Sequence, residues 1–166
     1  MLNLLGKSSR RKDRGRDLEQ VVGTRALSKA LFTDFGVPDT MDGRFDAMAL
    51  HAWMALVRLK ATGQDEAAQD LTDAIFIGFD EALREQGVSD MGMKRRMKAL
   101  ADAFYGRLAA YSAAQTREQM AEALARNVWR GAAVDDRARA LTAYVEQARA
   151  ALEKAPVGTI DFGPLP

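Results

Sequence analysis

Between Phe45 and Leu59 the chain places apolar residues on nearly every side of one helix, which narrows the folds open to it. Phe45, Met48, Ala49, Ala52, Trp53, Leu56 and Leu59 share one face at helical spacing, and Leu50, Met54 and Val57 make a second. A helix apolar nearly all round has to be enclosed by other elements. The rest of the sequence supplies them. Met93, Met97, Leu100, Phe104, Leu108 and Tyr111 form the most regular amphipathic stripe. Leu18, Val21, Val22, Leu27 and Leu31 form another, as do Leu71, Ile75, Phe79 and Leu83, and Ala138, Leu141, Val145, Ala148 and Leu152. No stretch sustains the period-two alternation of a half-buried strand. The pattern predicts an all-α fold, a single compact bundle of about six helices.

The breaks follow from local chemistry. A first helix is expected over 17–33, and Gly36 and Pro38 then open a loop. Thr40 or Asp42 caps a second helix that runs to Gly63. A third covers 64–86, with Asp65 and Glu66 at its positive end and Gly87 as a left-handed stop. A fourth covers 93–115. Thr116 and Gln119 read as a capping box opening a fifth, which stops near Gly131. Asp135 or Asp136 caps a sixth, ended by Pro156.

The charge is uneven. Residues 1–16 hold six cations and one anion, whereas the remaining 150 hold 18 cations and 22 anions. This predicts a basic flexible arm over 1–16, a helical domain over 17–155 and an extended tail over 156–166. The arm suits an anionic surface, where each cation contributes about 1 kcal/mol. A DNA-binding face would spread its basic excess over a folded surface, so no DNA partner is expected. Leu2, Leu4 and Leu5 precede the cations and no longer apolar core follows, so a secretory signal is not expected. The uncharged run 47–57 falls far short of the ~20 residues of a membrane span.

Catalytic chemistry finds little support. There is no Cys and one His, which excludes thiolate chemistry, iron–sulfur clusters and histidine-rich zinc sites. No Gly-rich phosphate loop or nucleophile elbow is present. Asp42 and Asp46 stand one helical turn apart, too thin a set for a metal. His51 lies seven residues from both Arg44 and Arg58. It reads as a helix-face histidine with one structural hydrogen bond, or as a catalytic or haem-binding residue. No catalytic residue, cofactor or metal is expected. The cluster Lys94, Arg95, Arg96 and Lys98 is expected in the first turn of the fourth helix, where the macrodipole opposes it. It suits an anion such as an RNA phosphate, a lipid headgroup or an acidic partner, or a solvated face neutralised by Asp90 and Asp102. Gly106 inside a helix costs about 1 kcal/mol against Ala, which predicts a close helix–helix contact there. Arg107 would then reach Asp42, Asp46 or Asp80. The eight Met suit a surface that adapts to apolar partners.

Two long blocks carry a resemblance. FGVPDTMDGR over 35–44 continues as FDAMALHAWMALVRL to Leu59, and FDEALREQGVSD over 79–90 is followed by KRRMKALADAFYGRLAAY to Tyr111. Their order and spacing resemble the ubiquinol–cytochrome c chaperone family across roughly 17–130. The resemblance implies an all-helical assembly factor and not an enzyme. It implies binding and protection of newly made cytochrome b before haem insertion, help from a small partner protein, and contact with a ribosome or an anionic membrane through the basic arm. The implied location is cytoplasmic, peripheral at the inner membrane. The motif positions are Asp39, Asp42, Gly43, Arg44, Phe45, Asp46 and His51 in the first block. In the second they are Asp80, Arg84, Gly87 and Asp90, then Lys94, Arg95, Lys98, Phe104, Tyr105, Gly106 and Arg107. The alternatives are a generic helical adaptor without a membrane client, and a small haem- or isoprenoid-binding protein using His51.

Overall fold

The computed structural model describes residues 2–131 and 133–165, with side chains from Ser8 onward among them. Met1 and Pro166, at the ends of the expected arm and tail, lie outside the described residues, as do the side chains of Leu2, Leu4, Leu5 and Lys7. Seven helices are present among the described residues, with no strand: α1 (Leu2–Ala26), α2 (Lys29–Thr33), α3 (Met41–Ala61), α4 (Asp65–Glu85), α5 (Asp90–Ala113), α6 (Arg117–Val128) and α7 (Asp136–Lys154). None is long and apolar enough to cross a membrane.

The twice-apolar segment is α3, and it is the axis of the fold. It packs against α1, α4, α5, α6 and α7. Leu50, Trp53, Met54, Leu56 and Leu59 are all buried. Its entry is tightly specified. Thr40 Oγ1 accepts from Gly43 N at 3.1 Å, and a Cβ on Gly43 would lie 1.9 Å from the Pro38 carbonyl oxygen. Only glycine therefore allows the Pro38 loop to fold back on the first turn. Gly87 takes φ +77° to stop α4, the conformation that glycine adopts without strain. Thr116 caps α6, with Gln119 N donating to Thr116 Oγ1 at 3.2 Å, but Gln119 Oε1 accepts from Gln115 N at 2.7 Å, so the returning bond of the expected capping box falls one residue before the cap. Asp135 caps α7 by accepting from Ala138 N at 3.1 Å.

Four expectations need correction. The segment expected as a basic arm is helical from Leu2 and runs without a break into α1. Its cations do not repel it from the body, because Arg11 Nε and Arg14 Nη2 reach the two oxygens of Asp70 on α4 at 2.8 and 2.6 Å. At Gly15 the two helices touch, with an ideal Cβ 2.4 Å from the Asp70 carbonyl oxygen. Second, the helix expected over 17–33 is two helices, since Ser28 is extended and starts α2. Third, α5 begins at Asp90 rather than near Met93. Lys94, Arg95 and Lys98 therefore sit beyond the first turn, and Asp90 occupies the end that favours anions. Fourth, Gly106 is exposed and an added Cβ there would meet nothing within 4 Å. A close helix–helix approach is found instead at Gly15, and a close loop–helix approach at Gly43. The tail after α7 carries no helix, and its Ile160 and Phe162 are buried.

Candidate functional site

Both motif blocks meet where α3, α4 and α5 pass one another. Asp46 on α3 is fully buried. Its Oδ1 accepts from Arg107 Nε on α5 at 2.5 Å, and its Oδ2 lies 2.8 Å from Arg130 Nη1 in the loop after α6. Of the three acids that Arg107 was expected to reach, the fold selects Asp46. Arg130 also lies 3.5 Å from Asp42, whose side chain is exposed. Asp42 and Asp46 thus face an arginine, the opposite of a cation site. Burial pushes the Asp46 carboxyl above the usual carboxylate range, against the pull of Arg107 and Arg130. Asp70 shows the other balance. Burial opposes its charge too, but the hydrogen bonds and charge of Arg11 and Arg14 prevail and hold it below the usual range. The Tyr111 hydroxyl is buried without a hydrogen-bond partner, and burial, reinforced by the Asp46 charge, raises its pKa.

Arg107 links this polar pair to an aromatic edge. Its guanidinium carbon lies 4.9 Å from the centre of the Phe45 ring. Phe45 meets Phe79 at 5.4 Å, Phe79 meets Phe76 at 5.6 Å and Phe76 meets Phe104 at 5.5 Å. Phe76 also stacks on Tyr105 at 5.9 Å. Phe104 is fully buried and Phe45, Phe76 and Phe79 are half-buried, while Tyr105 is 52% exposed. Met41, one turn before Phe45, is 60% exposed. Three helices therefore present a continuous row of aromatic faces at the surface, anchored from below by a buried ion pair.

The other motif residues are dispersed. Asp39 pairs with Arg44 at 2.8 Å on the loop before α3. Arg84 joins Asp80 at 2.7 Å to Asp90 at 3.3 Å across the Gly87 turn. Lys94 and Arg95 are exposed and form no ion pair among the described residues, while Lys98 pairs with Asp102 at 2.7 Å.

His51 is fully buried, away from the aromatic edge. Its Nδ1 lies 2.7 Å from the Ala47 carbonyl, an acceptor, so Nδ1 carries the proton. Nε2 must then accept from the Tyr144 hydroxyl at 2.8 Å. Burial depresses its pKa to about 4, with Arg25 lowering it further against the Ala47 bond. Both nitrogens are engaged, which favours the structural reading over ligation. Arg44 and Arg58 do not share its stripe chemically, since Arg58 donates to the Ala155 carbonyl at 2.8 Å. Two surface depressions, one between α1 and α4 and one between α1 and the tail, are lined by none of His51, Asp42 and Asp46. Among the described residues no group of acids and histidine could hold a metal.

A family model described as ubiquinol–cytochrome C chaperone matches residues 33–162. The chain belongs to the ubiquinol–cytochrome C chaperone family. The crystal structure of the Cbp3 homolog from Brucella abortus is similar over 98% of this chain and 96% of that one, at 33% identity and a TM-score of 0.83. No curated protein matches. The match to the chaperone family contains the whole aromatic edge, the Asp46 pair and His51. Phe76, Arg130 and Tyr144 were not singled out in the sequence. Arg130 and Tyr144 lie 84 and 93 positions from their partners, and no local pattern signals such a pairing.

Proposed function

We propose that this chaperone-family chain binds newly made cytochrome b and shields it before haem is inserted, working peripherally at the inner membrane. The observation that carries the reading is the aromatic edge of Phe45, Phe76, Phe79 and Tyr105 on a chain of this family. Half-buried rings on three helices offer a preformed apolar surface at low entropic cost to a hydrophobic client. Met41 adds an adaptable margin. Arg107, bonded to Asp46 behind Phe45, keeps that ring in place without exposing an unpaired charge.

The test is recovery of the tagged chain from membranes of the native host. Cytochrome b is expected to co-purify with the parent and to be lost from a Phe79→Ala/Tyr105→Ala variant whose melting curve shows it folded. A parent that brings down no cytochrome b, in a host whose reductase assembles normally without the chain, would favour an adaptor with no membrane client.

A further inference from the structure

The sequence holds two basic clusters, and the fold treats them differently. In α1, Arg11 and Arg14 are committed to the buried carboxylate of Asp70, and Arg14 also lies 3.6 Å from Glu66. Lys12 and Arg16 on the same helix are exposed, so that cluster is committed only in part. On α5, Lys94, Arg95 and Arg96 are exposed and make no ion pair among the described residues. The neighbouring acids are already engaged, Asp90 with Arg84 and Asp102 with Lys98. Met91 is 95% exposed. Helical spacing puts Met91, Lys94, Arg95 and Lys98 on the side of α5 opposite the buried Met93, Phe104 and Tyr111.

We propose that this outer face of α5, Met91 with Lys94, Arg95 and Lys98, lies on an anionic lipid bilayer. Exposed cations at headgroup level are drawn to the negative leaflet. Their aliphatic stems and the Met91 thioether can enter the boundary with the acyl chains. RNA would satisfy the cations, but it offers nothing to a fully exposed methionine. The same stripe continues at seven-residue steps from Met91 through Lys98 to Tyr105, so a bilayer beneath α5 would meet the end of the aromatic edge. A membrane-protein client would emerge at that place. The inference rests on the peripheral, client-binding reading above and names its membrane-facing element.

Flotation of the full chain with phosphatidylcholine vesicles containing phosphatidylglycerol, against pure phosphatidylcholine, tests it at low salt. The parent should float with the anionic vesicles only. Lys94→Gln/Arg95→Gln/Lys98→Gln should lower partitioning about a hundred-fold, from three cations at the surface. Lys12→Gln/Arg16→Gln in α1 should lower it far less, because these exposed cations lie on another helix. Met91→Ser should weaken binding without altering its salt dependence, because it removes insertion and no charge. Melting curves confirm that these surface variants fold. If the parent floats and the triple variant floats equally, the assignment to α5 is wrong while the peripheral reading stands. If the parent does not float at all, both fail. If Met91→Ser behaves as parent and total tRNA displaces the vesicles from the same three cations, the face binds RNA instead.

Discussion

At the scale of single residues, burial decides which ionic contacts matter. Asp46→Ala would leave Arg107, only 15% exposed, without its counter-charge. That should cost about 3–5 kcal/mol in urea melts. Asp42→Ala removes a long, exposed contact and should stay within about 0.5 kcal/mol of the parent. Equal losses would show that the Asp46 pair is not the anchor of the aromatic edge. His51 predicts a pH dependence. Its folded pKa of about 4 lies below the ordinary 6.5, so between these values the unfolded chain takes up a proton that the folded chain refuses. Stability is therefore full above pH 6.5 and falls as pH drops toward 4, by about 3 kcal/mol from this group. Melts across that range should show the slope in the parent, and His51→Gln should lose it. A parent as steep as the variant would mean that His51 is not held neutral.

At the scale of elements, two mid-chain glycines of the motif blocks have opposite roles. Gly43 lets the Pro38 carbonyl close on the first turn of α3, and a Cβ at 1.9 Å has no room. Gly43→Ala should shift the loop and lower the melting temperature by several degrees, since even a 1 kcal/mol loss moves a domain of this size by about 2–4 °C. Gly106 faces open space. Gly106→Ala should stabilise α5 by up to ~1 kcal/mol. A destabilised Gly106→Ala protein would restore the close helix contact that the sequence pattern predicts. The reason for the error is general. A glycine in a helix signals that a side chain is unwanted, but it does not say whether the neighbour is inside the molecule. The central place of α3 was legible because apolar character on every side admits one solution. The start of α5 lies three residues before Met93, because Ser89 and Asp90 open the helix ahead of the apolar stripe that makes it visible in the sequence.

At the scale of the whole molecule, the ends of the chain are structural. The tail returns across α1, where Arg25 donates to the Gly163 carbonyl, and Phe162 sets its ring edge on His51 at 5.3 Å. Ending the chain after Pro156 would expose the sites of Ile160 and Phe162, both buried, and should cost about 3–6 kcal/mol. A truncated protein with the parent's melting curve would mean that the tail only decorates the surface. The N-terminal cations tie α1 to α4 through Asp70, so acid that protonates Asp70 should loosen this pair. Its carboxyl is held below the usual range, and that stability is present at neutral pH and lost as pH falls through the folded pKa.

The sequence by itself determined the helical class, the central position of α3, the cap at Thr116, the narrowing of two other caps to Thr40 or Asp42 and to Asp135 or Asp136, and the two motif blocks that mark the family. These depend on residues within a few turns of one another, where periodicity and capping chemistry act. Only the tertiary structure decided that Arg107 and Arg130 share Asp46, that His51 is closed by Tyr144, and that the rings of three helices form one edge. It also decided that Arg11 and Arg14 of the N-terminal cluster are held at Asp70, while Lys94 and Arg95 on α5 form no ion pair among the described residues. Such pairings join positions tens of residues apart, and packing selects one partner among several chemically equivalent candidates.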